Sequence, residues 1–144
     1  MTSEFAVAIH GLVFLNQRKS TTSSEELAAN VCTNPARVRK VLAKLKKAGI
    51  VATKEGLEGG YHLGKDPLNI TLKQICDALE VTFVSSSWRS GDETNPCMIA
   101  SGMAGVMDDL YGELDELCKK RMEQITIKDI HESLVRKKLN SLKS

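Results

Sequence analysis

Seven lysine and arginine side chains, with no aspartate or glutamate among them, fall within residues 37–54: Arg37, Arg39, Lys40, Lys44, Lys46, Lys47 and Lys54. Cations gathered in this way attract polyanions, above all the phosphate backbone of nucleic acid, because each contact releases a condensed counterion. The imbalance is local. Residues 1–70 hold ten Lys/Arg against six Asp/Glu, residues 71–144 hold ten against twelve, and the whole chain has a formal net charge of only +2. The plain account of such a run is a solvated helix face. The absence of any balancing acid within it, and a hairpin pattern just beyond it, favour an anion-binding face.

Other residues able to do chemistry are sparse. The four cysteines, Cys32, Cys76, Cys97 and Cys118, form no Cys-x-x-Cys pair. Cys76 and Cys118 adjoin apolar helix faces and are expected to be buried structural thiols. Cys97 follows Asn95-Pro96 close to the start of a long helix, and a helix N-terminus lowers a thiol's pKa, so it is a candidate redox group. Cys32 lies in the turn before the cationic helix, where oxidation would disturb docking; the plainer account is a small residue packed in a turn. His10, His62 and His131 sit in different elements without metal-ligand spacing, and no metal site is expected. Residues 56–60 are glycine-rich but lack the helix and lysine of a phosphate loop. With no nucleophile–base pair or paired carboxylates evident, an enzyme is not expected.

The elements that must position the cations follow from periodicity. Phe5, Ile9, Leu12 and Val13 predict a first helix over residues 3–16. Ser23 or Ser24 caps a short helix over 25–31, whose acidic first turn suits the helix dipole. Asn34 caps a third helix over 35–48, with Pro35 at its first position, where a missing N–H costs nothing. On that helix Val38, Val41, Leu42 and Leu45 fall within about 100° of arc, and the opposite face is cationic. Gly49 ends it. Residues 50–53 and 61–63 read as paired strands around a glycine-rich tip, and 71–79 as another helix. The polar stretch 85–95 reads as a mobile loop. A long helix over 101–124 carries Met103, Met107, Leu110, Leu114 and Leu117 at spacings of three and four, a coiled-coil seam suited to a homodimer interface. A last helix covers 127–137.

Two short helices, a turn, a cationic helix and a hairpin make a winged helix-turn-helix, mainly α with a small β-hairpin wing. Such a recognition helix enters the major groove by its N-terminal end. Thr33, Asn34, Ala36, Arg37, Arg39 and Lys40 are therefore candidates for reading sequence, and Lys44, Lys46 and Lys47 for holding phosphate. The expected division is a DNA-binding domain over 1–80 and a loop with dimerisation helices over 81–144. At 144 residues, 42% hydrophobic and 26% charged, the chain has the composition of one folded domain rather than a disordered one. It shows neither a secretory leader pattern nor an apolar run of membrane length, so a cytoplasmic location is expected.

The segments Thr33-Asn34-Pro35-Ala36-Arg37-Val38, Leu45-Lys46-Lys47-Ala48-Gly49-Ile50-Val51 and Gly56-Leu57-Glu58-Gly59-Gly60-Tyr61-His62-Leu63, followed by Ile70-Thr71-Leu72, resemble the Rrf2 family of bacterial transcription regulators. The resemblance extends to residues 126–131. It implies a homodimeric repressor reading a palindromic operator, with the long C-terminal helices packed together and the Gly59–Tyr61 wing joining the DNA interface. Two departures stand out. Cluster-binding members carry three cysteines close together before the dimer helix, whereas that region here has only Cys97, so an iron–sulfur cluster is not expected. Many members also place an arginine before the wing glycine, where this chain has Glu55 beside Lys54. Either the wing contributes less, or Lys54 takes over. The competing expectation is a winged helix that binds protein and not DNA.

Overall fold

The computed structural model describes residues 2–143. Helix α1 (Thr2–Arg18) leads into α2 (Ser24–Val31) and α3 (Pro35–Lys47); strands β1 (Val51–Lys54) and β2 (Gly60–Leu63) follow, then a 3-10 turn (Pro67–Asn69), α4 (Leu72–Leu79), α5 (Met98–Met122) and α6 (Ile127–Lys143). This is a winged helix-turn-helix carrying two long C-terminal helices.

The helix starts follow from side-chain caps. Ser23 accepts from the Glu26 N–H at 3.1 Å, and Asn34 from the Arg37 N–H at 2.8 Å. Thr71 and Gln74 form a reciprocal capping box at α4. Gly49, at φ +78°, closes α3: its own N–H reaches Lys46 O and that of Ile50 reaches Leu45 O, each at 3.0 Å.

The hairpin pairs Val51 with Leu63 and Lys54 with Gly60, antiparallel. Thr22 adds a bridge to Tyr61 on the outer edge, with N–H···O distances of 2.8 and 3.0 Å. A Cβ at Gly60 would lie 2.7 Å from Thr22 O, so glycine is what allows this approach.

The core joins all these elements. Leu12, Leu27, Val41, Leu45, Ile50, Ile70, Ile75 and Ile127 are almost fully buried, each side chain contributing about 1.5–3 kcal/mol over exposure. The α3 face expected from periodicity is the buried one. On α1 the buried set is shifted: Val7, Ala8 and Leu15 join Leu12 and Val13, while Phe5 and Ile9 are half-buried. Backbone bonds Leu72 N–H to Ile125 O (2.9 Å) and Ile127 N–H to Ile70 O (3.0 Å) dock the start of α6 beside α4.

Helix α5 begins at Met98 rather than Ser101, with Cys97 as its N-cap, and α6 runs to Lys143 rather than stopping near Lys137. Buried Asp115 fastens α5 to the domain by accepting from the N–H groups of Phe83 (2.8 Å) and Val84 (3.1 Å) and pairing with Lys119 (3.1 Å). The segment between α4 and α5 lacks helix and strand, yet it is tied down. Arg89 Nη1 donates to both carboxylate oxygens of Asp108, at 2.8 and 2.6 Å, and the Asp92 N–H reaches Ala100 O at 2.9 Å.

Candidate nucleic-acid interface

The turn and α3 are the centre of the candidate interface. Cys32, at φ +66°, ends α2 in the left-handed conformation, and the Thr33 N–H returns to Ala28 O at 3.0 Å. These bends set α3 across α2, with the apolar face of α3 down and its remaining faces outward. Asn34 and Ala36 are exposed and Thr33 half-buried. Asn34 Oδ1 is engaged in capping, which leaves its amide NH2 for a ligand.

The cations of α3 are not equivalent, and their partners come from other elements. Glu4 of α1 lies between two of them, 3.1 Å from Lys44 Nζ and 3.8 Å from Lys40 Nζ. The Lys44 hydrogen bond, with both lysine charges, holds the Glu4 carboxyl below its usual range against the opposing effect of burial. Arg39 donates to Ser24 Oγ at 3.2 Å and lies 3.9 Å from Glu25. Lys46 Nζ donates to Thr53 Oγ1 at 2.9 Å, tying the C-terminal half of α3 to the wing. Arg37 and Lys47 have no ion pair or side-chain hydrogen bond among the described residues. The face expected to be uniformly cationic is thus partly neutralised. Glu4 and Glu25 were missed because the counter-charges lie outside the basic run; their only sequence signal is a place in the first turn of a neighbouring helix.

In the wing, Lys54 is exposed at the end of β1. Gly59 serves the turn: its N–H bonds Gly56 O at 3.0 Å, and a Cβ there would collide with the Lys54 carbonyl. Tyr61 is half-buried, packed on the core and locked to Thr22. Of the wing residues, Lys54 alone presents a free charge from the strands themselves.

The seam residues of α5 lie on the side away from the domain. Ala104, Asp115 and Met122 are its buried positions. Met103, Leu110, Leu114 and Leu117 are 38%, 44%, 41% and 63% exposed, and Met107 is half-buried. Val106 and Ile99 extend the same stripe within about 100° of arc. Cys118, expected to be buried, is exposed: it neighbours Leu117, and Leu117 faces outward. Cys76 is buried as expected, its Sγ 3.2 Å from Val81 O, and burial pushes its thiol pKa up. Cys97 and Cys32 are exposed. The N–H groups of Ala100 and Ile99 hold the Cys97 thiol below its usual range.

A helix-turn-helix with an outward cationic helix and an adjoining hairpin defines a winged-helix DNA-binding transcription regulator. A model of the Rrf2 family, described as iron-dependent transcriptional regulators, matches residues 1–133, and the chain belongs to that family. It is 29% identical over 131 residues to the putative HTH-type transcriptional regulator YwnA of Bacillus subtilis (strain 168), covering 90% of this chain and 96% of the relative. Its fold is similar to a putative transcriptional regulator from Lactobacillus plantarum, with TM-score 0.78, 25% identity, and 98% and 99% of the two chains covered. It is also similar in fold to IscR of T. potens, with TM-score 0.68, 18% identity, and 93% and 87% covered.

The family description names iron, and the thiols here bear on whether this chain can hold it. Cys32 lies in the helix-turn-helix turn, Cys76 in the core, Cys97 at the α5 N-cap and Cys118 on α5. Among the described residues no three His, Cys, Asp or Glu side chains gather as a metal site. A cluster needs about four ligands, mostly thiolate, and this donor set does not fit one within a single chain.

Proposed function

We propose that this chain is a cytoplasmic, homodimeric repressor that reads a palindromic operator with the N-terminal half of α3 and works without an iron–sulfur cluster or catalytic activity. The observation that carries the DNA interface is the unpaired state of half-buried Arg37 and exposed Lys47 on α3, inside a winged-helix frame. Arg37, in the first turn, is the base-reading candidate, since a guanidinium fork matches guanine O6 and N7. Lys47 and Lys54 hold phosphates near the wing. The apolar stripe of α5 supports the dimer: a 25-residue helix spans about 37 Å, and its outer face leaves large apolar side chains in water that a second copy would cover. Two-fold symmetry then requires inverted half-sites. Selection of bound sequences from a random duplex pool tests this. Recovery of inverted repeats with centres about one helical turn apart, or a multiple of it, is expected. Recovery of a single unrepeated site, or no enrichment, would contradict it.

The environment of Cys97 favours a second reading, of the signal input. Its thiol is exposed at the N-cap of α5 without a side-chain cap bond, and the nearby N–H groups of Ala100 and Ile99 lower its pKa, which favours the thiolate that attacks a peroxide. The thiolate sulfur takes one oxygen to become sulfenic acid, and the other leaves as hydroxide or alkoxide. Cys97→Ser should abolish peroxide-dependent release of DNA, and release that persists in this variant would refute the reading.

A further inference from the structure

A cleft of about 500 Å³ lies between the end of α1, the following turn and the outer face of the wing. Lys19, Lys54 and Lys65 reach it from three different segments, and none has an ion pair among the described residues. His62 also lines it, its Nδ1–H donating to Leu63 O at 3.0 Å. Asn16 and Ser20 add neutral donors, and Glu58 at the rim is its one carboxylate. Three lysines against one glutamate leave the lining with an excess of two positive charges from these groups. Unpaired lysines are common on this chain, and what marks these three is that they line one cleft from three separate segments.

Lys19 sits at φ +60°, the left-handed position just past α1 where glycine is the undemanding choice. Cys32 and Glu80 take the same left-handed conformation past α2 and α4, so it marks a helix end. The cleft is also set apart from α3. Strand alternation puts Lys54 and His62 on one face of the hairpin and Thr53 on the other, where it meets Lys46 of α3.

We propose that this cleft is an anion site that takes a phosphate group, with Lys19, Lys54 and Lys65 as its donors. Its volume exceeds that of orthophosphate, so it suits a phosphate carried on a larger body. Thr21 Oγ1 donates to Glu58 O at 2.6 Å, which already joins the α1–α2 turn to the wing beside the cleft. The phosphate belongs either to a free phosphorylated metabolite or to nucleic-acid backbone flanking the operator.

Calorimetric titration of the full chain with inorganic pyrophosphate, without duplex, tests the site, and the ¹H–¹⁵N spectrum locates it. Saturable binding is expected, with amides of residues 19–21 and 62–65 shifting and those of 36–47 unmoved. A Lys19→Asn, Lys65→Gln double variant should bind at least tenfold more weakly while keeping the parent's circular dichroism; asparagine tolerates the left-handed backbone. If the double variant melts early, Lys65→Gln alone is read. No saturable binding, shifts centred on α3, or undiminished affinity in the variant would overturn the proposal, whether or not the chain binds duplex. The source is assigned by a duplex titration of the same variant. A matching loss of duplex affinity, with pyrophosphate competing, assigns the phosphate to nucleic acid; unchanged duplex affinity assigns it to a free ligand.

Discussion

Glu4→Gln should make the protein bind duplex DNA more tightly. Glu4 contacts Lys44 at 3.1 Å and Lys40 at 3.8 Å, and a phosphate approaching either lysine must compete with that carboxylate. Exposed ion pairs contribute about 0.2–1 kcal/mol each. Freeing two lysines per protomer therefore favours DNA by about 0.5–2 kcal/mol, a gain of roughly two- to thirtyfold in affinity per protomer. The glutamine keeps the shape and loses the charge, so the fold should give up about 1 kcal/mol at most. The assay is fluorescence anisotropy with a random-sequence duplex over a range of salt, where the variant's slope of log affinity against log salt should also steepen. Combining Glu4→Gln with Lys40→Ala and Lys44→Ala should erase the gain. Unchanged affinity in Glu4→Gln, or a gain that survives loss of both lysines, would refute the reasoning.

Arg37→Ala should cost about 1–3 kcal/mol against the selected operator, with relaxed preference at one base position and an unchanged melting temperature, read by operator and random-duplex titrations side by side. Leu114→Glu should convert a dimer to monomer in size-exclusion chromatography with light scattering, since a charge would enter the middle of the α5 stripe; an unchanged mass would place the self-interface elsewhere. Asp115→Ala leaves the Phe83 and Val84 N–H groups without their acceptor and should lower stability by about 2–4 kcal/mol, roughly 5–15 °C in Tm, measured by calorimetry. The pH dependence follows from its ionisation. Burial pushes Asp115 up, but the bonds from Val84, Lys119 and Phe83 outweigh it, so its folded pKa lies below the ordinary value. Its contribution is therefore full above the unfolded pKa of about 3.9 and is lost as pH falls through the lower folded value, so wild type and Asp115→Asn should converge in stability only in strong acid.

Much of the frame was legible in the chain because local rules and tertiary packing agree there. Asn34-Pro35 opens α3, four aliphatic residues at helical spacing bury one face, and Gly49 closes it. The boundaries of the C-terminal helices were harder to place. Polar Ser101 resembles a helix start, yet the helix begins three residues earlier behind Cys97; the basic run 136–138 resembles a helix end, yet Leu139 and Leu142 continue the α6 stripe. Cys118 was misplaced because an apolar stripe does not say which way it faces, and this one faces out. The charge state of the interface was illegible for a different reason. Glu4 meets Lys44 across 40 residues of sequence, and no periodicity encodes a contact between helices. The convergence of Lys19, Lys54 and Lys65 on one cleft is hidden in the same way.

The central claim, that α3 and the wing hold duplex DNA through a few unpaired cations, is tested most directly by the salt dependence of binding to random duplex. With Arg37, Lys47 and Lys54 from each of two protomers, log affinity should fall against log salt with a slope of about −5. A flat slope, or no binding at low salt, would contradict it.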